Sequence, residues 1–201
     1  MIKRVFDVAL SGFGLLVSSP LWLVLSAAIR LEDGGPIFYR QERVGRGGRR
    51  FLAMKFRSMR PDAEAMTGPV QASEDDPRVT RVGRWMRKTA MDELPQLWNI
   101  LRGDMSFVGP RALRPGEIEA HTDGRLVALE EVPGFEHRVR VRPGLTGLAQ
   151  VYARRDVPRR HKFRYDRIYV ERRSWMLDTR LILLSFWISF LGTWEARGRK
   201  Y

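Results

Sequence analysis

Apolar positions cluster unevenly along the chain, and the densest cluster comes first. From Val8 to Ile29 there are 22 residues without a charge, preceded by Lys3, Arg4 and Asp7 and followed by Arg30. Roughly 20 apolar residues suffice for a helix to cross a bilayer. A cleavable signal peptide would have a shorter apolar region, about 7–15 residues. A straight span meets Ser18-Ser19-Pro20 at its middle, where proline removes a helical hydrogen bond. Cations at both ends also give no direction of crossing. The pattern therefore predicts a re-entrant helix-break-helix with its break at Ser19 and Pro20, either serine supplying a hydrogen bond to carbonyls freed there. A kinked spanning helix is the rival reading, and a buried core helix the plainest one.

Downstream the period changes. Gly34-Gly35-Pro36 stops the helix, Ile37-Phe38-Tyr39 opens a strand, Val44 to Gly48 turns, and Phe51 to Phe56 returns. Residues 61–79 are polar and proline-bearing and predict a mobile loop. In the segment Asp92 to Leu101, Leu94, Leu97, Trp98 and Leu101 follow the spacing of a buried helical face. Pro95 fits only a first turn, so the helix is expected to start near Asp92 and to stop at Arg102-Gly103. Leu181 to Leu191 is apolar apart from two serines, with Trp175, Trp187 and Trp194 in or around it. It reads either as a core helix or as one lying in the headgroup region, with Arg197, Arg199 and Lys200 toward anionic lipid.

Composition narrows the chemistry. The 201 residues carry a net charge of +13, and only five of the 36 cations are lysine. Arginine suits bidentate contact with phosphate, so polyanionic partners are expected. With no cysteine, disulfides, thiolate metal sites and a cysteine nucleophile are excluded. A 44% apolar content excludes a disordered basic tail.

Asp92 and Glu93 at a helix start are ordinary stabilising choices taken alone. Their neighbours change that reading. Arg81, Arg84, Arg87 and Lys88 lie upstream, and Gly109-Pro110-Arg111, Arg140 and Arg142 lie downstream. Carboxylates among guanidiniums suit phosphoryl transfer, in which one carboxylate attacks phosphorus and another serves as base or ligand. His121, His137 and His161 lack metal-ligand spacing and read as surface or structural groups.

Motifs in order along residues 3 to 190 carry a resemblance. They include Lys3-Arg4-x-Phe6-Asp7, Ser19-Pro20-Leu21, Gly35-Pro36-Ile37-Phe38 and Gln41-x-Arg43-x-Gly45. Lys55-Phe56-Arg57-Ser58-Met59, Asp76-Pro77-Arg78-x-Thr80 and Asp92-Glu93-Leu94-Pro95-Gln96-Leu97 come next. Gly103 to Arg111 and Arg142-Pro143-Gly144-Leu145-Thr146-Gly147 close the set. Together they resemble the bacterial sugar transferases, the monotopic phosphoglycosyl transferases that start glycan assembly on a polyprenyl phosphate.

The resemblance implies an α-rich α/β fold: a re-entrant membrane hairpin (residues 1–33) packed on a small catalytic domain (34–201) with a short β-hairpin and interfacial helices. It implies a bacterial inner-membrane enzyme with its catalytic domain on the cytoplasmic face. Its donor would be a UDP-sugar and its acceptor undecaprenyl phosphate. Asp92 matches the nucleophile, and Glu93 matches the second carboxylate, a base or a Mg²⁺ ligand; the two together would hold Mg²⁺. Arg87, Pro110 and Arg111 fall where phosphate or nucleotide is held, with Lys55 a further candidate. Amides near Glu93 and Leu94 would add positive potential there. A homodimer is compatible with this reading, and nucleic acid is not among the partners. Three departures stand out: Ala112 where the family has Pro-Arg-Pro, Ala90-Met91 before the dyad, and Tyr152 to Asp156 in place of an Asn-Gly-Arg-like stretch. The alternative is a non-catalytic peripheral protein that binds anionic lipid or nucleic acid through its arginines.

Overall fold

A computed structural model describes residues 2–63, 76–120, 125–154, 157–192 and 194. The segment 64–75, His121, Arg155, Asp156, Arg197, Arg199 and Lys200 lie outside the described residues, and with them the core of the expected 61–79 loop.

The uncharged run forms a single α-helix, α1 (Ile2–Asp33), with Pro20 inside it. The expected break at Ser19-Pro20 does not interrupt the helix. Pro20 has no amide for the Leu16 carbonyl four residues back. The Ser19 hydroxyl donates to that carbonyl instead, at 2.7 Å, so the lost bond is replaced in place. The Trp22 indole donates to Ser18 Oγ at 3.1 Å in the next turn.

One stripe of α1 faces the rest of the protein. Asp7, Ser11, Leu25 and Ile29 are buried on it. Between them Gly14 and Leu15 meet Leu97 and its neighbours, and Leu21 and Trp22 pack with Phe56 and Met86. These steps of three and four residues trace one helical face. The opposite face, with Phe13, Leu16, Val17, Leu23 and Val24, is exposed. Among the described residues α1 is the one helix long and apolar enough to cross a membrane.

Gly34 (φ +71) ends α1. The chain then makes an antiparallel hairpin of β1 (Phe38–Val44) and β2 (Arg50–Phe56), with Phe38 opposite Phe56 and Val44 opposite Arg50. The Arg57 guanidinium ties the hairpin's exit to the end of α1. It forks onto the Asp33 carboxylate and donates to the carbonyls of Pro36 and Met59. Helix α2 (Arg81–Thr89) starts at Thr80, whose hydroxyl accepts from the Gly83 amide at 2.9 Å. Gly83 is required there: a Cβ would stand 2.0 Å from the Ser58 carbonyl oxygen.

A short α3 (Gln96–Arg102) follows, starting four residues later than the expected Asp92. It leads to β3 (Ser106–Val108), then to the small hairpin of β4 (Ile118–Ala120) and β5 (Leu126–Ala128), and to α4 (Phe135–Arg138). Strand β6 (Gly144–Thr146) pairs parallel with β3 so closely that a Cβ on Gly144 would lie 2.0 Å from the Gly109 amide nitrogen. Helices α5 (Leu148–Tyr152), α6 (Arg159–Arg172) and α7 (Trp175–Phe190) complete the fold. The fold is helix-rich, with three separate two-stranded pairings among the described residues and no larger sheet.

The apolar C-terminal run is a core helix on one side only. Leu181 is buried against Val108 and Tyr169, while Leu183, Phe186 and Phe190 are exposed. The start of α7 holds the start of α1: Lys3 pairs with Asp178 at 2.5 Å, and Phe6 meets Trp175 edge to face at 4.5 Å.

Candidate active site

Helix α2 stops at Ala90, the one non-glycine residue with positive φ (56°) among the described residues. A left-handed alanine costs roughly 1–2 kcal/mol, and here it reverses the chain directly before the two carboxylates. Met91 to Glu93 then form one tight 3-10 turn. In such a turn residues three apart share a face, so Met91 and Leu94 both reach apolar core. Asp92 and Glu93 lie between them and are directed elsewhere, toward β2.

Glu93 is held by two cations. Lys55 Nζ donates to Glu93 Oε1 at 2.5 Å, and Arg111 Nη2 donates to the same oxygen at 3.0 Å. Burial would raise Glu93, but these two charges outweigh it and hold the carboxyl well below its usual range. Asp92 differs. It is buried, yet no hydrogen bond or ion pair reaches it among the described residues. Burial, with the Glu93 charge beside it, pushes its carboxyl up to about 6 against the pull of Lys55, Arg87 and Arg111. The same burial draws the Lys55 ammonium below its ordinary range, opposed by both carboxylates. Arg111 is the half-exposed member of the set and marks the side open to solvent.

The structure thus brings Asp92, Glu93, Lys55 and Arg111 together, with Arg87 at the end of α2 acting on Asp92 through its charge. Pro110 is buried, and no contact with the dyad is seen among the described residues: its carbonyl accepts from the Gly144 amide at 2.9 Å, and it lines a small cavity with Val44, Gly45 and Pro143. Ser19 and Pro20 sit on α1, where the Ser19 hydroxyl is bonded within the helix. Two expectations need correction. The Glu93 and Leu94 amides are not free for phosphate, because the tight turn binds them to the Ala90 and Met91 carbonyls at 3.1 and 3.2 Å. Arg142 joins no phosphate cluster. It donates to the Gly103 carbonyl at 2.7 Å, while Arg4 donates to the Ile100 and Leu101 carbonyls, so both cap the end of α3.

A residue that the motif reading quoted without a role is Arg43, which sits close enough for its charge to act on Lys55. No group of three or more His, Asp or Glu that could hold a metal occurs among the described residues. Asp92 and the second oxygen of Glu93 carry no side-chain partner there. Two carboxylates suit Mg²⁺, which keeps several waters and shares the rest of its shell with substrate phosphates.

The model of the family described as bacterial sugar transferase matches residues 1–192. The chain belongs to that family. Its curated relatives agree. The chain is 38% identical over 198 residues to the exopolysaccharide production protein ExoY of Rhizobium meliloti, covering 92% of this chain and 82% of the relative. It is 41% identical over 192 residues to the undecaprenyl-phosphate glucose phosphotransferase of Komagataeibacter xylinus, covering 91% of this chain and 35% of the relative. It is 37% identical over 197 residues to the undecaprenyl-phosphate galactose phosphotransferase of Salmonella typhimurium, covering 91% and 39%. Against the last two this transferase corresponds to little more than a third of the relative. Membership makes the chain a sugar-phosphate transferase and sets aside the non-catalytic alternative.

Proposed function

We propose that the transferase moves a sugar 1-phosphate from a UDP-sugar to undecaprenyl phosphate through a covalent aspartyl intermediate. The observation that carries this is the division of labour in the dyad: Asp92 is buried and unpaired, whereas Glu93 is pinned by Lys55 and Arg111. A carboxylate with a raised pKa is ionised at neutral pH and more basic than an ordinary one, which suits attack on phosphorus.

In the first half-reaction an Asp92 carboxylate oxygen bonds to the sugar-bearing phosphorus. The bond from that phosphorus to the bridging oxygen breaks, and UMP leaves with the electron pair. Arg111 and Lys55, with Arg87 near Asp92, stabilise the charge that develops on the phosphoryl oxygens. In the second half-reaction an oxygen of the acceptor phosphate attacks the same phosphorus, the Asp92–phosphorus bond breaks, and the carboxylate is regenerated. Bound Mg²⁺, held by Asp92 and Glu93, would neutralise diphosphate charge. Glu93 keeps Lys55 and Arg111 converged on the reacting phosphate.

A one-sided membrane placement is supported by how α1 is tied down. Arg4 and Asp7 near its start bond to residues 100–107, and Glu32 and Asp33 at its end bond to Arg57 and the first amides of α2. Both ends are held by one domain, which cannot lie on both sides of a bilayer. The exposed apolar side of α1 and that of α7 then enter the inner membrane from its cytoplasmic face, beside a lipid acceptor whose phosphate stays at the surface.

The test is UMP release from a panel of UDP-sugars by the protein in lipid nanodiscs, with and without undecaprenyl phosphate. Asp92→Asn is expected to lose at least about 10³-fold in rate, and donor-treated wild type should gain the mass of one phosphosugar on the peptide containing Asp92. Turnover at wild-type rate in Asp92→Asn would sink the assignment.

A further inference from the structure

The segment that carries Arg111 is held with unusual completeness. Four consecutive carbonyls each accept from a different part of the chain. Pro110 accepts from the Gly144 amide at 2.9 Å, and Leu113 from the Val44 amide at 2.9 Å. The two between them accept from guanidiniums: Arg111 from Arg138 Nη2 at 2.5 Å, and Ala112 from Arg43 Nη1 at 3.0 Å. Pro110 fixes its own φ through its ring, whereas Arg111 and Ala112 carry no such restraint.

Arg138 is itself fixed in place. It is 6% exposed, its Nε donates to Asp166 Oδ2 on α6 at 3.2 Å, and its guanidinium lies 4.5 Å from the centre of the Phe163 ring. Arg43 is oriented from its other side by the Gln41 side-chain oxygen. Burying a guanidinium–carboxylate pair is a poor route to stability, since apolar side chains of similar volume do as well or better. What the pair does supply is a rigid, directional donor aimed at one carbonyl.

We infer that Arg138 and Arg43 are positioning residues: by clamping the carbonyls of Arg111 and Ala112 they hold the Arg111 side chain on Glu93, and Asp166 aims Arg138. The kinetic part of this rests on the transferase reaction proposed above. Arg138 touches the backbone of Arg111 and not the dyad, so its effect must pass through Arg111.

A double-mutant cycle reads this directly. Arg138→Lys keeps the charge but not the fork, and it should lower kcat/KM for UMP release about 10–100-fold, the size of a small misplacement of a catalytic group. In an Arg111→Ala background the same change should cost nothing further. Additive losses would overturn the inference. Arg43→Lys should behave in the same way. If Arg138→Lys does not fold, Arg138→Met with Asp166→Leu replaces the buried pair by apolar groups. That variant should melt at or above the wild-type temperature yet show the same loss, and full activity in it would equally overturn the inference. The Nε–Hε NMR signal of Arg111 gives a readout without turnover: ordered in wild type and mobile in Arg138→Lys. A wild type that releases no UMP would therefore remove the proposed reaction while leaving this measurement to decide the clamp.

Discussion

Two buried aspartates lie at opposite ends of the same structural logic. Asp7, on α1, is 1% exposed and accepts from the Ser106 hydroxyl at 3.0 Å and the Phe107 amide at 3.1 Å. Asp92 is 9% exposed and has no partner among the described residues. The first carboxylate is used up in joining α1 to β3. The second is kept free of hydrogen bonds beside a glutamate that has taken Lys55 and Arg111. Withdrawing a carboxylate from water without supplying hydrogen bonds costs free energy, and this is the main cause of the raised Asp92 carboxyl. The contrast separates a structural acid from a chemical one with no reference to the motif in which either lies.

The contrast can be broken in three ways, and a fourth change probes the helix that carries Asp7. Asp7→Ala should cost about 3 kcal/mol, because the Ser106 hydroxyl and Phe107 amide lose a buried acceptor. Thermal unfolding in detergent micelles measures this, and an unchanged melting temperature would place Asp7 outside the joint.

Asp92→Asn should have the opposite sign. The folded carboxyl is pushed up to about 6 from 3.8 for the free group, so its charge weighs against folding at neutral pH by on the order of 3 kcal/mol. That penalty is complete above pH 6, shrinks as pH falls, and is gone below 3.8. Asparagine should therefore stabilise at pH 7.5 and make no difference at pH 3.5, with activity lost throughout.

The rate of UMP release should follow the same group. Because the ionised form is the reactive one, kcat/KM should fall about tenfold per pH unit below pH 6. A flat profile from pH 7 to 5 would deny Asp92 its role.

The smallest effect belongs to α1. Ser19→Ala exposes the Leu16 carbonyl that Pro20 cannot serve, and it should lower stability by about 1 kcal/mol. The double change with Pro20→Ala should recover it, since an alanine amide restores the ordinary bond.

Local order was readable from the residues because it depends on near neighbours. The uncharged run from Val8 to Ile29 and the stop at Gly34-Gly35-Pro36 predict an apolar helical element that ends before the hairpin, and α1 covers that stretch, though without the predicted break at Ser19-Pro20. The strand-turn-strand reading of residues 37–56 matches β1 and β2 to within a residue or two. Helix α3 starts later than its residues predict because Pro95 is also tolerated at a helix boundary, and the partly buried Met91 and Leu94 favour a separate tight turn before it. The uninterrupted α1 differs from the predicted break for a similar reason: the Ser19 hydroxyl serves the carbonyl that Pro20 leaves unbonded, and a pattern of apolar residues does not show which way a hydroxyl turns.

The sequence by itself determined that Asp92 and Glu93 stand adjacent, that arginine outnumbers lysine, and that an apolar helix precedes the domain. Which carboxylate is free was decided only in three dimensions. Glu93 is claimed by Lys55, 38 positions earlier, and by Arg111, 18 positions later, and Arg111 is in turn braced by Arg43 and Arg138 from two further elements. Periodicity reports which residues share a face of one element. A charge's partner depends on how separate elements pack, and packing sets both the distances and the exclusion of water that make one acid structural and its counterpart reactive.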